Sequence, residues 1–145
     1  MEKEFDFKDV PSGWVLCYVD KCPLKERCMR YFAGQHVPPT KVLAKTVLPT
    51  VLLEERCRFF KEKRVVKAVR GWGDFFTTVR RDHYHEMLGE MIAYLRSETY
   101  YYRYKNGKYL LMPEQQQWIA DLFARYGYPD VVHFDNFVYT YDFQD

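Results

Sequence analysis

The segment Gly-Gln-His-Val-Pro-Pro, residues 34–39, constrains the possible folds of this 145-residue sequence more than any other. Neither the interior of a helix nor a central strand accepts two adjacent prolines, so the chain must turn or run extended there. The sequence therefore predicts a small N-terminal module over residues 1–39 and a larger body over residues 40–145. One continuous domain is the alternative, because this length fits either arrangement.

The body shows two helical patterns flanked by two strand patterns. Residues 63–70 are rich in β-branched side chains and residues 131–143 in Val, Phe and Tyr, so both ranges are predicted to contain strands. Apolar side chains recur at helical spacing in residues 83–96 and again in residues 113–126, which are predicted to be helices that bury one face. Residues 40–62 carry no pattern that assigns them.

Asn106-Gly107 is the kind of dipeptide that most favours a two-residue β-hairpin turn. Residues 99–104 and 108–112 on either side are therefore predicted to be strands. The resulting order is that of a ferredoxin-like split βαβ fold, an α+β architecture with an antiparallel sheet and two helices. A winged-helix-like fold is the alternative, in which a short helix near residues 74–79 pairs with the next helix and the hairpin is the wing.

The N-terminal module is predicted to contain a short strand over residues 14–19, followed by a helix. Pro23 suits the first turn of that helix, and Gly34 suits its end. At helical spacing, Cys28 and Tyr31 would share one apolar face. A module of this size buries too little surface for a sufficient core, so it needs a further stabilising element.

The four cysteines of the chain are candidates for that element: Cys17, Cys22, Cys28 and Cys57. Four thiolates can complete a tetrahedral zinc site or hold a [4Fe–4S] cluster. Cys22 would lie near a helix N-terminus, which favours the thiolate, and Cys57 would fasten the module to the body. The spacing matches neither a zinc-ribbon pair nor a ferredoxin motif. Reduced thiols in the core are an equal alternative, and redox chemistry is a third.

Composition and the start of the sequence disfavour several classes of protein. No apolar run approaches the roughly 20 residues of a membrane-spanning helix. The first nine residues mix acidic and basic side chains, unlike the basic start and apolar run of a signal peptide. We expect a cytoplasmic protein with no membrane partner, in which cysteines are thiols or metal ligands rather than disulfides.

Charge is distributed unevenly along the chain. Residues 56–81 carry nine Lys or Arg and two acidic residues, a net charge of +7, whereas residues 130–145 carry four Asp and no basic residue. A basic segment can bind a polyanion such as nucleic acid. The alternative is that the acidic end of the sequence folds back over the basic segment and neutralises it.

Aromatic residues add to the case for nucleic acid. If residues 100–105 form a strand, Tyr101, Arg103 and Lys105 share one face and could stack on bases and contact phosphates. Sheet packing is the alternative, because aromatic residues are ordinary strand formers. The candidate nucleic-acid residues are Arg58, Lys61, Lys63, Arg64, Lys67, Arg70, Tyr101, Arg103 and Lys105.

The sequence offers little support for an enzyme. It contains no Gly-x-Ser-x-Gly motif and no glycine-rich phosphate loop, and no catalytic residue is predicted. His83, Glu86 and Glu90 would share one helix face, where they could bind a metal or form an ordinary solvated surface. We expect a non-catalytic binding or regulatory protein with a partner that is nucleic acid or protein. A zinc- or iron–sulfur-dependent sensor or enzyme and a protein–protein interaction module are the alternatives.

Several motifs carry a resemblance to a known family. The matching stretches are residues 22–30, 57–60, 101–104, 113–119 and 122–128. Together they resemble an uncharacterised domain-of-unknown-function family of small cysteine-containing bacterial proteins from gut anaerobes. The resemblance covers nearly the whole chain and implies a bacterial cytoplasmic protein, with no family activity and no catalytic residues to transfer. An anaerobic source would suit an oxygen-sensitive cluster.

Overall fold

The structure is a computed structural model that describes residues 4–144. The described chain has four α-helices and two sheets of two strands each, which confirms the α+β class. It divides into two compact units. Met1–Val65 and Tyr141–Asp145 form the first, which we name the N-terminal unit, and Val66–Thr140 form the second, which we name the helical unit.

These bounds differ from the expected modules 1–39 and 40–145, and backbone pairing within the N-terminal unit gives the reason. The N–H of Met29 donates to the carbonyl of Lys61 at 2.6 Å, and the N–H of Lys63 donates to the carbonyl of Arg27 at 2.9 Å. The chain beyond the proline segment therefore returns to the N-terminal unit before it enters the helical unit.

The N-terminal unit contains only short regular elements. They are β1 (Leu16–Cys17), α1 (Met29–Gly34) and β2 (Thr46–Val47). Strands β1 and β2 are parallel, with Leu16 opposite Thr46 and Cys17 opposite Val47. Two small apolar clusters rather than one continuous core lie around these elements. One contains Leu16, Met29 and Ala33, and the other contains Cys17, Val19 and Val47.

The helix predicted to start at Pro23 begins later than expected. A single 3-10 turn, Lys25–Arg27, comes first, and Cys28 is extended with φ −98° and ψ 123°. Cys28 forms an isolated antiparallel bridge with Glu62. This long-range pairing holds Cys28 out of helical conformation, so α1 begins only at Met29 and is six residues long.

The helical unit contains the longer elements. They are β3 (Val65–Val69), α2 (Arg81–Tyr94), α3 (Glu98–Lys105), α4 (Pro113–Arg125) and β4 (Phe137–Tyr141). Strands β3 and β4 form the second sheet, and only their end residues Val65 and Tyr141 belong to the N-terminal unit. The predicted helices over residues 83–96 and 113–126 are confirmed, as are the strands within residues 63–70 and 131–143.

The predicted hairpin at Asn106-Gly107 is wrong, because residues 98–105 form a helix. Ser97 caps the start of α3 by accepting a hydrogen bond from the N–H of Tyr100 at 3.2 Å. Gly107 has φ 82°, and the N–H of Lys108 donates to the carbonyl of Arg103 at 2.9 Å. This is a Schellman C-cap. Like a two-residue hairpin turn, it accommodates an asparagine followed by a glycine with positive φ.

The ferredoxin-like order is therefore not found in the described chain, nor is the wing of the winged-helix alternative. Residues 108–112 contribute one isolated bridge, between Leu111 and Val69. The helical unit has a main core of ten buried residues and a smaller cluster formed by Val66, Ala68 and Met112. The main core consists of Val69, Phe75, Met87, Met91, Leu95, Tyr101, Leu111, Ile119, Leu122 and Phe123. No helix within residues 4–144 has the length and apolar character needed to cross a membrane.

Candidate metal centre

Four separate positions in the N-terminal unit carry the cysteines. Cys17 ends β1, Cys22 lies in a turn in which its N–H donates to the carbonyl of Val19 at 3.2 Å, and Cys28 immediately precedes α1. Cys57 lies in a turn of its own, where its carbonyl accepts a hydrogen bond from the N–H of Phe60 at 3.1 Å. The pairing of residues 27–29 with residues 61–63 holds that turn near Cys28.

All four cysteines line the same cavity. The volume of this cavity is about 20 Å³, which is space for about one water molecule or one ion. Val19, Val47 and Val51 are among the apolar residues that complete the wall. Cys17 and Cys28 are buried, whereas Cys22 and Cys57 are partly exposed. The four cysteines that the sequence analysis grouped thus line one cavity.

The thiols influence one another electrostatically. Burial raises the pKa of Cys17, and a hydrogen bond from the backbone of Val19 opposes that rise. Negative charge on Cys28, Cys22 or Cys57 raises the same pKa further. The neutral thiol of Cys17 is therefore favoured until a cation is present to compensate its thiolate.

Two cationic side chains that the sequence analysis did not select, Lys25 and Arg30, also line the cavity. Arg30 is buried, and its guanidinium donates from Nε to the carbonyl of Phe59 at 2.6 Å and from Nη1 to the carbonyl of Val15 at 3.0 Å. The guanidinium also lies over the ring of Trp14, 4.5 Å from its centroid. Arg30 follows Cys28 by two positions, and that proximity was the only available sequence indication.

The sulfurs share a cavity without forming a ligand set. In the part of the chain that the structure describes, no group of three or more His, Cys, Asp or Glu side chains is arranged to hold a metal ion. The four cysteines are free thiols. The arrangement can therefore serve as an apolar pocket of thiols, or it can close on an ion by rotation of side chains.

The basic residues proposed for nucleic acid are mostly engaged within the protein. The carboxylate of Asp142 is buried and accepts hydrogen bonds from Lys61 Nζ at 3.2 Å and Arg64 Nη2 at 2.7 Å. Arg58 pairs with Glu54 at 3.0 Å. At Asp142, the acidic end of the sequence does return to the basic segment and neutralise it.

The remaining candidates have aromatic or carbonyl neighbours. Lys63 lies over Phe32 at 4.7 Å, Lys67 lies over Phe137 at 4.0 Å, and the guanidinium of Arg70 donates to the carbonyl of Gly107 at 3.5 Å. Tyr101 is only 2% exposed, because α3 directs it into the core of the helical unit. Arg103 donates to the hydroxyl of Tyr109 at 2.8 Å. The carbonyl of Lys105 accepts a hydrogen bond from the N–H of Trp72 at 3.1 Å, and its side chain has no bonded partner within residues 4–144.

The polar face of α2 contacts the end of α4. The hydroxyl of Tyr126 donates to Glu90 Oε2 at 2.7 Å, with Glu86 Oε2 at 3.4 Å. Nδ1 of His83 lies 2.9 Å from the hydroxyl of Tyr128. These hydrogen bonds connect α2 with the residues that follow α4.

A comparison with protein families finds a match over nearly the whole sequence. The model of one family of unknown function matches residues 1–143. The chain belongs to that family, DUF6078. Among curated proteins and solved structures, none matches the chain. Membership in DUF6078 brings no activity with it, so the function must be argued from the chemistry of this chain.

Proposed function

We propose that this member of DUF6078 is a non-catalytic binding or regulatory protein of the cytoplasm whose N-terminal unit is stabilised by a structural zinc site. The ligands would be the four sulfurs of Cys17, Cys22, Cys28 and Cys57. The observation that carries the proposal is that all four cysteines of the chain line one cavity. Zinc is commonly bound by four thiolates in tetrahedral geometry at about 2.3 Å.

The size of the cavity favours a single ion over a cluster. A volume of about 20 Å³ accommodates one atom-sized occupant. A [4Fe–4S] cluster contains eight atoms and would require the surrounding valine and phenylalanine side chains to move apart. The resemblance to proteins of gut anaerobes makes the cluster the second candidate, and the experiment below distinguishes the two.

Charge in the cavity wall also supports a metal site. Zinc with four thiolates carries a net charge of −2, and burying that charge is costly unless cations compensate it. Lys25 and the buried Arg30 supply two positive charges in the same wall. Binding of zinc would release protons from the thiols, so affinity for zinc should rise with pH.

The fold of the N-terminal unit explains what a metal would contribute. Its two strands are two residues each, its α-helix has six residues, and its apolar clusters are small. A unit with so little core gains stability from a metal that joins distant segments. Cys17, Cys28 and Cys57 belong to three such segments.

The proposal is tested by anaerobic purification of the full chain, followed by metal analysis and a visible spectrum. We expect one zinc per chain and no visible absorption, and we expect Cys22→Ser to lose the zinc. Val47→Ala is the matched control, because Val47 lines the same cavity without offering a ligand. It should lower stability by about 1–2 kcal/mol and retain the zinc.

Two results would contradict a zinc site. Iron and sulfide with a broad visible band would establish a cluster instead. Protein that holds neither metal, together with a Cys22→Ser variant that melts like the parent, would establish that the cysteines are core thiols.

Nucleic-acid contact remains a proposal of its own, supported by the net charge of +7 over residues 56–81. Arg58 has a side chain that is 73% exposed and can still reach a phosphate. Binding through phosphates would weaken steeply as salt increases. Absence of binding to mixed DNA and RNA at low salt would remove this proposal. Partner binding that persists at high salt would instead favour a protein interaction module, which the exposed Val42 and Leu43 also suit.

A further inference from the structure

A cleft in the helical unit has the properties of a ligand site, and neither the family nor the metal proposal uses it. Its volume is about 370 Å³, and its walls come from residues 74–88 and residues 101–105. Clefts of about 300–1,000 Å³ are typical of sites for small molecules. The cleft therefore has room for a small ligand.

The hydroxyl of Tyr101 is the first feature that indicates a ligand. Tyr101 lines the cleft and is 2% exposed, and its hydroxyl has no hydrogen-bond partner within residues 4–144. Among the described residues, Trp14 Nε1 is the side-chain nitrogen or oxygen that is both fully buried and without a hydrogen-bond partner. The Tyr101 oxygen also has no partner, so it is not fully buried and keeps some access to the cleft. A ligand in the cleft can therefore supply its acceptor. Burial raises its pKa to about 12, which keeps it a neutral donor at physiological pH.

The charged residues of the cleft are the second feature. Arg81 and Lys105 line it, and neither has an ion-pair partner among the described residues. Asp74 also lines it, and its Oδ1 accepts a hydrogen bond from the N–H of Phe76 at 2.8 Å. Two cations and one carboxylate leave a net charge of +1. The N-terminal end of α2, which begins at Arg81, adds partial positive charge.

Apolar side chains line the same cleft. They include Phe76, Val79 and Leu88, and the ring of Phe76 meets the ring of Tyr84 edge to face at 4.9 Å. A ligand that matches both the charged and the apolar side chains has an anionic end and an apolar or aromatic body. One negative charge would balance the net charge of the cleft.

We propose that this cleft binds a small organic anion whose oxyanion is a carboxylate or a phosphate. The oxyanion accepts hydrogen bonds from Arg81, Lys105 and the hydroxyl of Tyr101. The apolar body lies against Phe76, Val79 and Leu88. This site belongs to the helical unit alone and does not depend on metal in the N-terminal unit.

The test is a nuclear magnetic resonance titration of the full chain with three probes: benzoate, phenyl phosphate and the neutral benzyl alcohol. We expect saturable shifts of the amides of residues 81–84 and 101–105 with at least one anion. Benzyl alcohol should bind at least about tenfold more weakly, because it lacks the charge that Arg81 and Lys105 bind. The two anions distinguish a carboxylate ligand from a phosphate ligand.

Variants then assign the contacts. Tyr101→Phe removes one oxygen and should weaken binding of the preferred anion about tenfold, and Arg81→Gln should weaken it at least as much. Tyr109→Phe is the matched control, because its hydroxyl accepts from Arg103 and does not line the cleft. It should bind like the parent. Since Arg81 is exposed, its variant will fold even if Tyr101→Phe does not.

Three outcomes would overturn the proposal. They are the absence of saturable shifts with both anions, equal affinity for benzyl alcohol and the anions, and unchanged affinity in Arg81→Gln. The same titration after chelation separates this proposal from the zinc proposal. A cleft that binds equally well with and without chelator stands whatever the metal content of the protein.

Discussion

The two units of the chain are held together by different physical means. The helical unit has a main core of ten buried residues that includes Phe123, Met91 and Leu122, and one smaller cluster. The N-terminal unit divides its apolar residues among small clusters, one of them centred on Leu16, Met29 and Ala33. Because hydrophobic stabilisation grows with the apolar area buried, the helical unit draws far more from it.

In the N-terminal unit, polar and cationic contacts supply stabilisation that the helical unit obtains from its core. Arg30 lies over Trp14 and Lys63 over Phe32, while the buried carboxylate of Asp142 holds Lys61 and Arg64. Contacts of this kind depend on the geometry of a few groups and on their protonation. The comparison teaches that one small chain can combine a unit stabilised by burial with a unit stabilised by specific polar partners.

The largest expected effect is the loss of a core ring in the helical unit. Phe123 is fully buried, and its ring packs on Phe75 and Phe76 with centroids 6.0 and 5.2 Å away. Phe123→Ala should lower the free energy of unfolding by about 3–5 kcal/mol, measured by denaturant titration. Leu16→Ala in the N-terminal unit, at a site 1% exposed, should lower it by about 2 kcal/mol. Equal losses of stability in the two variants would contradict the difference between the two units.

The next effect is acid sensitivity at Asp142 in the N-terminal unit. Burial alone would raise the pKa of this carboxyl, but hydrogen bonds from Arg64 and from the backbone of Gln144 outweigh it, so the pKa lies below its usual range. Its contribution to stability is complete above the ordinary aspartate pKa of about 3.9 and is lost as the pH falls through the lower folded pKa. Asp142→Asn should lower the free energy of unfolding by about 2 kcal/mol at neutral pH.

The control for that variant is Asp135→Asn, because Asp135 is exposed and has no bonded partner within the described residues. It should leave stability unchanged to within about 0.5 kcal/mol. If Asp142→Asn also behaves in this way, the N-terminal unit does not rely on its buried carboxylate.

The sequence predicted the long elements well, and the reason is periodicity. Helices α2 and α4 each bury one apolar stripe, so their spacing was sufficient to predict them. Helix α3 was missed because Asn106-Gly107 suits either a hairpin turn or a helix C-cap, and the aromatic residues before it suit a strand. Ser97 was the residue that could have indicated a helix start.

The sequence predicted that the four cysteines belong together, and they line one cavity, but it could not predict their arrangement. Cys17 lies at the cavity because β1 pairs in parallel with β2. Cys57 lies there because residues 27–29 pair with residues 61–63. Both pairings join segments distant in sequence, which no local pattern encodes. Arg30 was not selected because its burial follows from these same pairings.

The smallest expected effect concerns Tyr126 on the surface of the helical unit. Its hydrogen bond to Glu90 is the main reason that the pKa of the phenol is raised to about 12. The neutral phenol is therefore favoured, and this contribution is present below the ordinary tyrosine pKa of about 10 and is lost as the pH rises from there towards 12.

The pKa values of Tyr31 and Tyr101 are also raised to about 12, so the ultraviolet absorbance of tyrosinate should show several late-titrating groups, and Tyr126→Phe should have one fewer. Its melting temperature at neutral pH should hardly change. Tyr139→Phe, whose ring is 40% exposed, is the control and should keep the number of late-titrating groups of the parent. A large change of melting temperature in Tyr126→Phe would show that the helical unit also depends on polar contacts, and the comparison would fail.

The return of residues 141–144 to the N-terminal unit has a consequence for biosynthesis. Asp142 is the carboxylate partner of Lys61 and Arg64, yet the ribosome must add all of residues 66–140 between Val65 and Tyr141. At roughly 5–20 residues per second, this interval lasts several seconds. Lys61 and Arg64 therefore lack Asp142 throughout this interval, and the four thiols belong to a unit that is still incomplete.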